Sequence, residues 1–84
     1  MKNIEFSKHA LDMIKERDIQ EHWISDTIEN PDFLEYISDN EIHYIKQINE
    51  NSNRYLKVVV NPYSQPARII TVFFDRRIKN GPKS

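Results

Sequence analysis

Two periods divide the chain near Pro31. Before it, apolar residues recur at three- and four-residue spacing, as they do along one face of a helix. Ser7 stands before the first of these runs and suits an N-cap, because its hydroxyl can accept from free amides two or three residues on. Phe6 and Leu11 flank it at the two positions of a hydrophobic staple, and Ala10, Leu11 and Ile14 continue as an apolar stripe. The pattern stops near Arg17–Asp18. Ile19 and Ile24 repeat the staple spacing for a second helix, with Gln20 as a poor cap and Trp23, Ile24, Thr27 and Ile28 on the buried face. Asn30-Pro31 ends it, since the residue before a proline is pushed out of the helical region.

After Pro31 the period becomes two. Strands are expected at Phe33–Ile37, Ile42–Asn49, Arg54–Asn61 and Ala67–Phe74, separated by turns at 38–41 and 50–53 and a loop at 62–66. RYLKVVVN (54–61) is rich in β-branched residues, which suits a pleated surface. ARIITVFF (67–74) is apolar on both faces, and this assigns it to the centre of the sheet. Ile4–Phe6 leads in as a short extended segment. Consecutive strands with short connections favour an antiparallel meander. The expectation is an α+β domain over residues 1–75, with two N-terminal helices packed on one face of a curved four-stranded antiparallel sheet. Residues 76–84 are left as a basic, flexible tail.

With 84 residues the chain is one domain with a modest core. Its 38% hydrophobic and 30% charged residues are ordinary for a globular fold. No apolar run approaches the roughly 18 residues of a membrane span, and the start MKNIEF has no hydrophobic signal region. The absence of cysteine excludes disulfides, thiolate metal sites and a cysteine nucleophile, and fits a reducing cytoplasm. The histidines and acids lack metal-ligand spacing. A single glycine, Gly81, leaves no phosphate loop and no dinucleotide fingerprint. No cofactor is expected.

Charge changes the picture more. Residues 1–41 carry eleven acidic and four basic side chains, and residues 42–84 carry two acidic and eight basic ones. If the halves form two layers, one face suits a polyanion; the plainer reading is that acids sit on the helices and cations on the strands. Within that frame His9 stands in the first turn of helix one, where free amides and the helix dipole welcome an anion and disfavour an imidazolium. A neutral imidazole there suits a general base, although a first-turn histidine is more often a packing or surface residue. Arg17 follows two turns later and can grip a phosphate with two prongs, or simply favour a helix C-terminus or pair with Glu16 or Glu21. Lys46 and Arg54 can offer charge to a pentacovalent phosphorane, or merely discourage edge pairing. Tyr44 and Tyr55 can stack on bases, or pack across strands. His43 is a strand histidine with no partner visible, and His22 reads as solvated. Arg76, in the run Asp75-Arg76-Arg77-x-Lys79, can touch a phosphate backbone or belong to a solvated tail.

The residues Phe6-Ser7-x-His9-Ala10, Arg17-x-Ile19 and Ile28-x-Asn30-Pro31 together resemble the opening of the bacterial domain-of-unknown-function family 4258. Tyr44-x-Lys46 and Arg54-Tyr55-Leu56-x-Val58-Val59-Val60 resemble its strand signature. The resemblance covers roughly residues 5–75. That family is similar to the RelE/ParE and BrnT-like toxins of toxin–antitoxin modules. The chain departs from its pattern at Met13, where the family commonly has arginine, at Asp18, where it commonly has glycine, and at Gln20, where it commonly has serine.

The resemblance implies a RelE/ParE-like fold and a cytoplasmic bacterial toxin acting as a small metal-independent endoribonuclease. In that reading a 2′-hydroxyl of RNA attacks the adjacent phosphate, His9, Lys46 and Arg54 do the chemistry, and Arg17, Tyr44, Tyr55 and Arg76 hold the substrate. It also implies an antitoxin, acidic and partly disordered, over the basic face. The rival expectation is a non-catalytic protein- or RNA-binding module of the same fold.

Overall fold

The computed structural model describes residues 4–78. The elements in chain order are β1 (Ile4–Phe6), α1 (Lys8–Glu16), α2 (Glu21–Glu29), β2 (Phe33–Ser38), β3 (Glu41–Ile48), β4 (Arg54–Asn61) and β5 (Ala67–Phe74), with a single 3-10 turn at Asn49–Asn51. Among the described residues no helix is long and apolar enough to cross a membrane.

The helix ends follow from local chemistry. Ser7 is extended (φ −69°, ψ 162°), and its Oγ accepts from the Ala10 amide at 3.0 Å. The same hydroxyl donates to the Ile70 carbonyl at 2.6 Å, so the cap also ties α1 to β5. At the other end Asp18 takes a left-handed conformation (φ 52°). There the Ile19 amide donates to Ile14 O at 3.0 Å and the Asp18 amide to Lys15 O at 3.4 Å. These two bonds form a Schellman turn closed by a residue other than glycine. Gln20 makes no side-chain cap bond to α2.

One expectation about α1 fails. Leu11 is 54% exposed, while Ala10 is buried and Met13 and Ile14 pack against the core. Successive residues turn about 100° around a helix, so a face centred on Ala10, Met13 and Ile14 leaves Leu11 pointing away. On α2 the buried face is Ile24, Thr27 and Ile28, with Trp23 half-buried and edge-on to Phe74.

The sheet has five strands in the order β1-β5-β4-β3-β2 and is mixed. The four-strand antiparallel expectation holds for β2 to β5 but misses a strand. Ile4–Phe6 pairs parallel to β5, with Ile4 opposite Ala67 and Phe6 opposite Ile69. Three residues carry too little periodicity to announce a strand; the otherwise free edge of β5 supplies the backbone partners. A second correction concerns the centre. β4 occupies it, with Tyr55–Val60 buried without a break. β5 lies one place out and carries a register irregularity opposite Val59/Val60, where Ile70 stays exposed.

Alternation then sorts the side chains. Leu56, Val58 and Val60 of β4, with Ile69 and Val72 of β5 and Ile48 of β3, meet Ala10, Ile19, Ile24 and Ile28 under the helices. α1 packs on β5, and α2 on β4 and β3. Tyr55, Lys57 and Val59 of β4 point to the face that no helix covers.

Candidate functional site

The register places Leu56 opposite Phe74 and Ile48 opposite Arg54. Arg54 therefore shares the helix-facing parity of Leu56, one residue pair beyond the core. α1 ends over the same corner of the sheet. As a result Met13, Arg17, Asn51, Arg54, Phe73, Phe74 and Arg76 line one cavity of about 520 Å³. Three cations that stand far apart in sequence converge there from α1, β4 and the turn after β5. All three are exposed, and none forms an ion pair with a described residue. Three unneutralised guanidiniums around one concavity can hold a phosphate with bidentate bonds. The Met13 side chain stands on this same wall.

The other sequence candidates lie elsewhere. His9 is exposed at the N-terminal end of α1. It stands eight positions before Arg17, about 12 Å along the helix axis. Lys46 Nζ donates to the Asn30 carbonyl at 3.0 Å and lies 3.8 Å from Asp32. It thereby satisfies a carbonyl that the end of α2 leaves free. Tyr44 packs against the core cluster under the helices. Tyr55 is buried on the other face, its ring 6.4 Å from that of Phe33. Arg76 joins the cavity, and Arg77 folds back on Asp75. Residues 79–84 of the expected basic tail, Lys79 and Lys83 among them, lie outside the described residues.

The helix-free face carries a polar chain that periodicity did not announce. Glu41 Oε2 lies 2.6 Å from His43 Nε2, and His43 Nδ1 lies 3.4 Å from Glu35 Oε1. The same Glu35 oxygen is 3.5 Å from Lys57 Nζ, which lies 3.1 Å from Asp75 Oδ2. Arg77 donates to both Asp75 oxygens at 3.1 Å. The Arg77 guanidinium holds the Asp75 carboxyl well below the usual carboxylate range, against the burial that opposes ionisation; the Arg77 amide and Lys57 add to the effect. Asp75 is thus a fixed anion and cannot accept a proton near neutrality. His43 has the carboxylate partners that the sequence did not display, but it faces away from Arg54, because β3 and β4 alternate. The one available signal was a lysine, Lys57, inside the otherwise apolar run of β4, which calls for a carboxylate partner such as Asp75. His22 is exposed and lies 3.3 Å from Glu50, which also accepts from Trp23 Nε1 at 3.2 Å. Among the described residues no cluster of three or more histidines and carboxylates could hold a metal ion.

The cavity therefore offers cations, the aromatic ring of Phe74 and an amide, with no proton acceptor of ordinary basicity among the described residues that line it. No curated protein and no solved structure matches the chain. A family model does: that of the domain of unknown function DUF4258, over residues 6–74, which runs from the residue before the α1 cap to the last residue of β5. By that match, spanning both helices and the four antiparallel strands, the chain belongs to the DUF4258 family.

Proposed function

We propose that this protein binds RNA through its phosphate backbone, with Arg17, Arg54 and Arg76 as the phosphate-holding residues. The observation that carries this reading is the convergence of three unpaired arginines on one cavity. Guanidiniums bind phosphate oxygens in pairs and remain charged at every physiological pH. Phe74, on the helix-facing side of β5 and at the edge of the same cavity, gives a base a surface to stack on. Binding without cutting fits the cavity best. An arginine cannot take the proton of a 2′-hydroxyl, and His9 sits at the far end of α1.

The metal-independent endoribonuclease is the second reading. What favours it is the same arginine cluster, since positive charge fixed around a phosphate stabilises a pentacovalent phosphorane without a metal. Its toxin context rests on the expectation that the DUF4258 family is similar to RelE/ParE and BrnT-like toxins. In that context an acidic antitoxin would cover the arginine cavity. Met13 removes the arginine that the family commonly has on this wall, which weakens transition-state stabilisation and again favours binding over cleavage.

The test is titration of a fluorescent single-stranded RNA in EDTA, with cleavage followed on a gel. Arg54→Gln and Arg76→Gln should each weaken binding and lower the salt slope by about one, with the RNA intact. RNA binding unaffected by both substitutions would overturn the proposal. Cleavage in EDTA that is lost in Arg17→Gln and Arg54→Gln would establish the second reading, and undiminished cleavage by His9→Ala would remove His9 from it.

A further inference from the structure

A second cavity of about 300 Å³ adjoins the first and is lined by Asn53, Arg54, Phe74, Asp75, Arg76 and Ile78. The two share Arg54, Phe74 and Arg76 as a common wall. Their chemistry differs. The larger has the three arginines. The smaller has an apolar floor of Phe74 and Ile78 and one carboxamide, Asn53. Asp75 on its rim is engaged with Lys57 and Arg77 and offers no free oxygen.

We infer that the paired cavities form a single-nucleotide subsite, with the phosphate among the arginines and the base against Phe74 and Ile78. This rests on the phosphate-binding reading of the larger cavity and adds the ligand's second half. A base needs a flat apolar or aromatic surface on one side, and a guanidinium can stack over the other. It also needs a polar group that can meet its edge. The Asn53 carboxamide both donates and accepts. Its position is held by the backbone: Asn53 is left-handed (φ 59°), and its carbonyl accepts from Gln47 Nε2 at 3.0 Å. The shared wall lets Arg54 and Arg76 reach the phosphate and flank the base at once. A site for phosphate alone has no use for the second cavity.

The experiment is an amide-shift titration of the ¹⁵N-labelled protein with adenosine 5′-monophosphate, ribose 5-phosphate and a single-stranded RNA hexamer. The monophosphate is expected to shift resonances on both walls and to bind at least about five-fold more tightly than ribose 5-phosphate, the lower end of what base stacking contributes. Asn53→Gly keeps the left-handed backbone and removes the amide; Ile78→Ala removes the floor. Each should bring the monophosphate close to the affinity of ribose 5-phosphate and leave ribose 5-phosphate itself unchanged. Equal affinity of the two ligands for the wild-type protein would overturn the subsite and leave the phosphate site standing. Failure of both to shift the arginine wall would overturn the phosphate site and the subsite with it. A hexamer that binds more tightly than the monophosphate assigns the subsite to a strand of RNA; equal affinity assigns it to a free nucleotide, keeping the subsite and removing the RNA reading.

Discussion

Lys57 Nζ lies 3.1 Å from Asp75 Oδ2 on the face of the sheet that no helix covers, and both side chains are more than nine-tenths buried. A pair removed from water in this way has lost most of its hydration, so each charge depends on the other. Asp75→Ala is therefore expected to destabilise the fold by about 3 kcal/mol, because it leaves the buried Lys57 ammonium with only the Glu35 carboxylate at 3.5 Å. Replacing both, as Lys57→Met with Asp75→Leu, should recover most of that loss. Urea unfolding of the wild type and these two variants checks it; a single mutant as stable as wild type would show the pair to be dispensable.

The same carboxylate sets an acid response. Its folded-state pKa is depressed, chiefly by Arg77. Such a group contributes stability in full above its unfolded value near pH 4, and the contribution is lost progressively as pH falls below that value toward the folded one. The wild-type unfolding free energy should drop more steeply below about pH 4 than that of Asp75→Asn, which has no proton to gain at this position. Thermal melts across pH 2–6 test the difference in slope.

Asp18 offers a gain. It closes α1 with φ 52°, where a Cβ is strained and glycine is not. Asp18→Gly should raise stability by roughly 0.5–1 kcal/mol, provided the Schellman bonds from Ile19 and Asp18 persist. The readout is the thermal midpoint. A fall would mean that the aspartate side chain contributes more to this turn than its backbone strain costs.

Lys46 separates structure from function. It donates to Asn30 O at the end of α2 and does not line the arginine cavity. Lys46→Met should cost about 1 kcal/mol of stability, the net value of one such bond, and leave RNA affinity within a factor of two of wild type after allowance for one remote charge. A loss of RNA binding matching that of Arg54→Gln would place Lys46 in the binding surface after all.

Much of the fold was legible because its signals are local. The Ser7 hydroxyl, the break in apolar spacing at Arg17–Asp18 and the Asn30-Pro31 stop each act within a few residues, so spacing alone located both helices. Alternation along Arg54–Asn61 and Ala67–Phe74 defined two strands for the same reason. β1 escaped because its pairing is with a strand over sixty residues away. β5 was placed at the centre from its composition, yet β4 is the strand with neighbours on both sides that are themselves long.

The candidate site divides in the same way. Spacing puts Arg17 and Arg54 at the ends of elements and Arg76 just past the last strand, where side chains project beyond the core. That these three meet, that Lys46 turns to Asn30 and that His43 lies between two glutamates follows from how the elements pack. Which charges converge depends on strand register and on where a helix crosses the sheet, and both are chosen by the packing of Leu56, Phe74 and Ile69 under α1 and α2 rather than by any residue of the site.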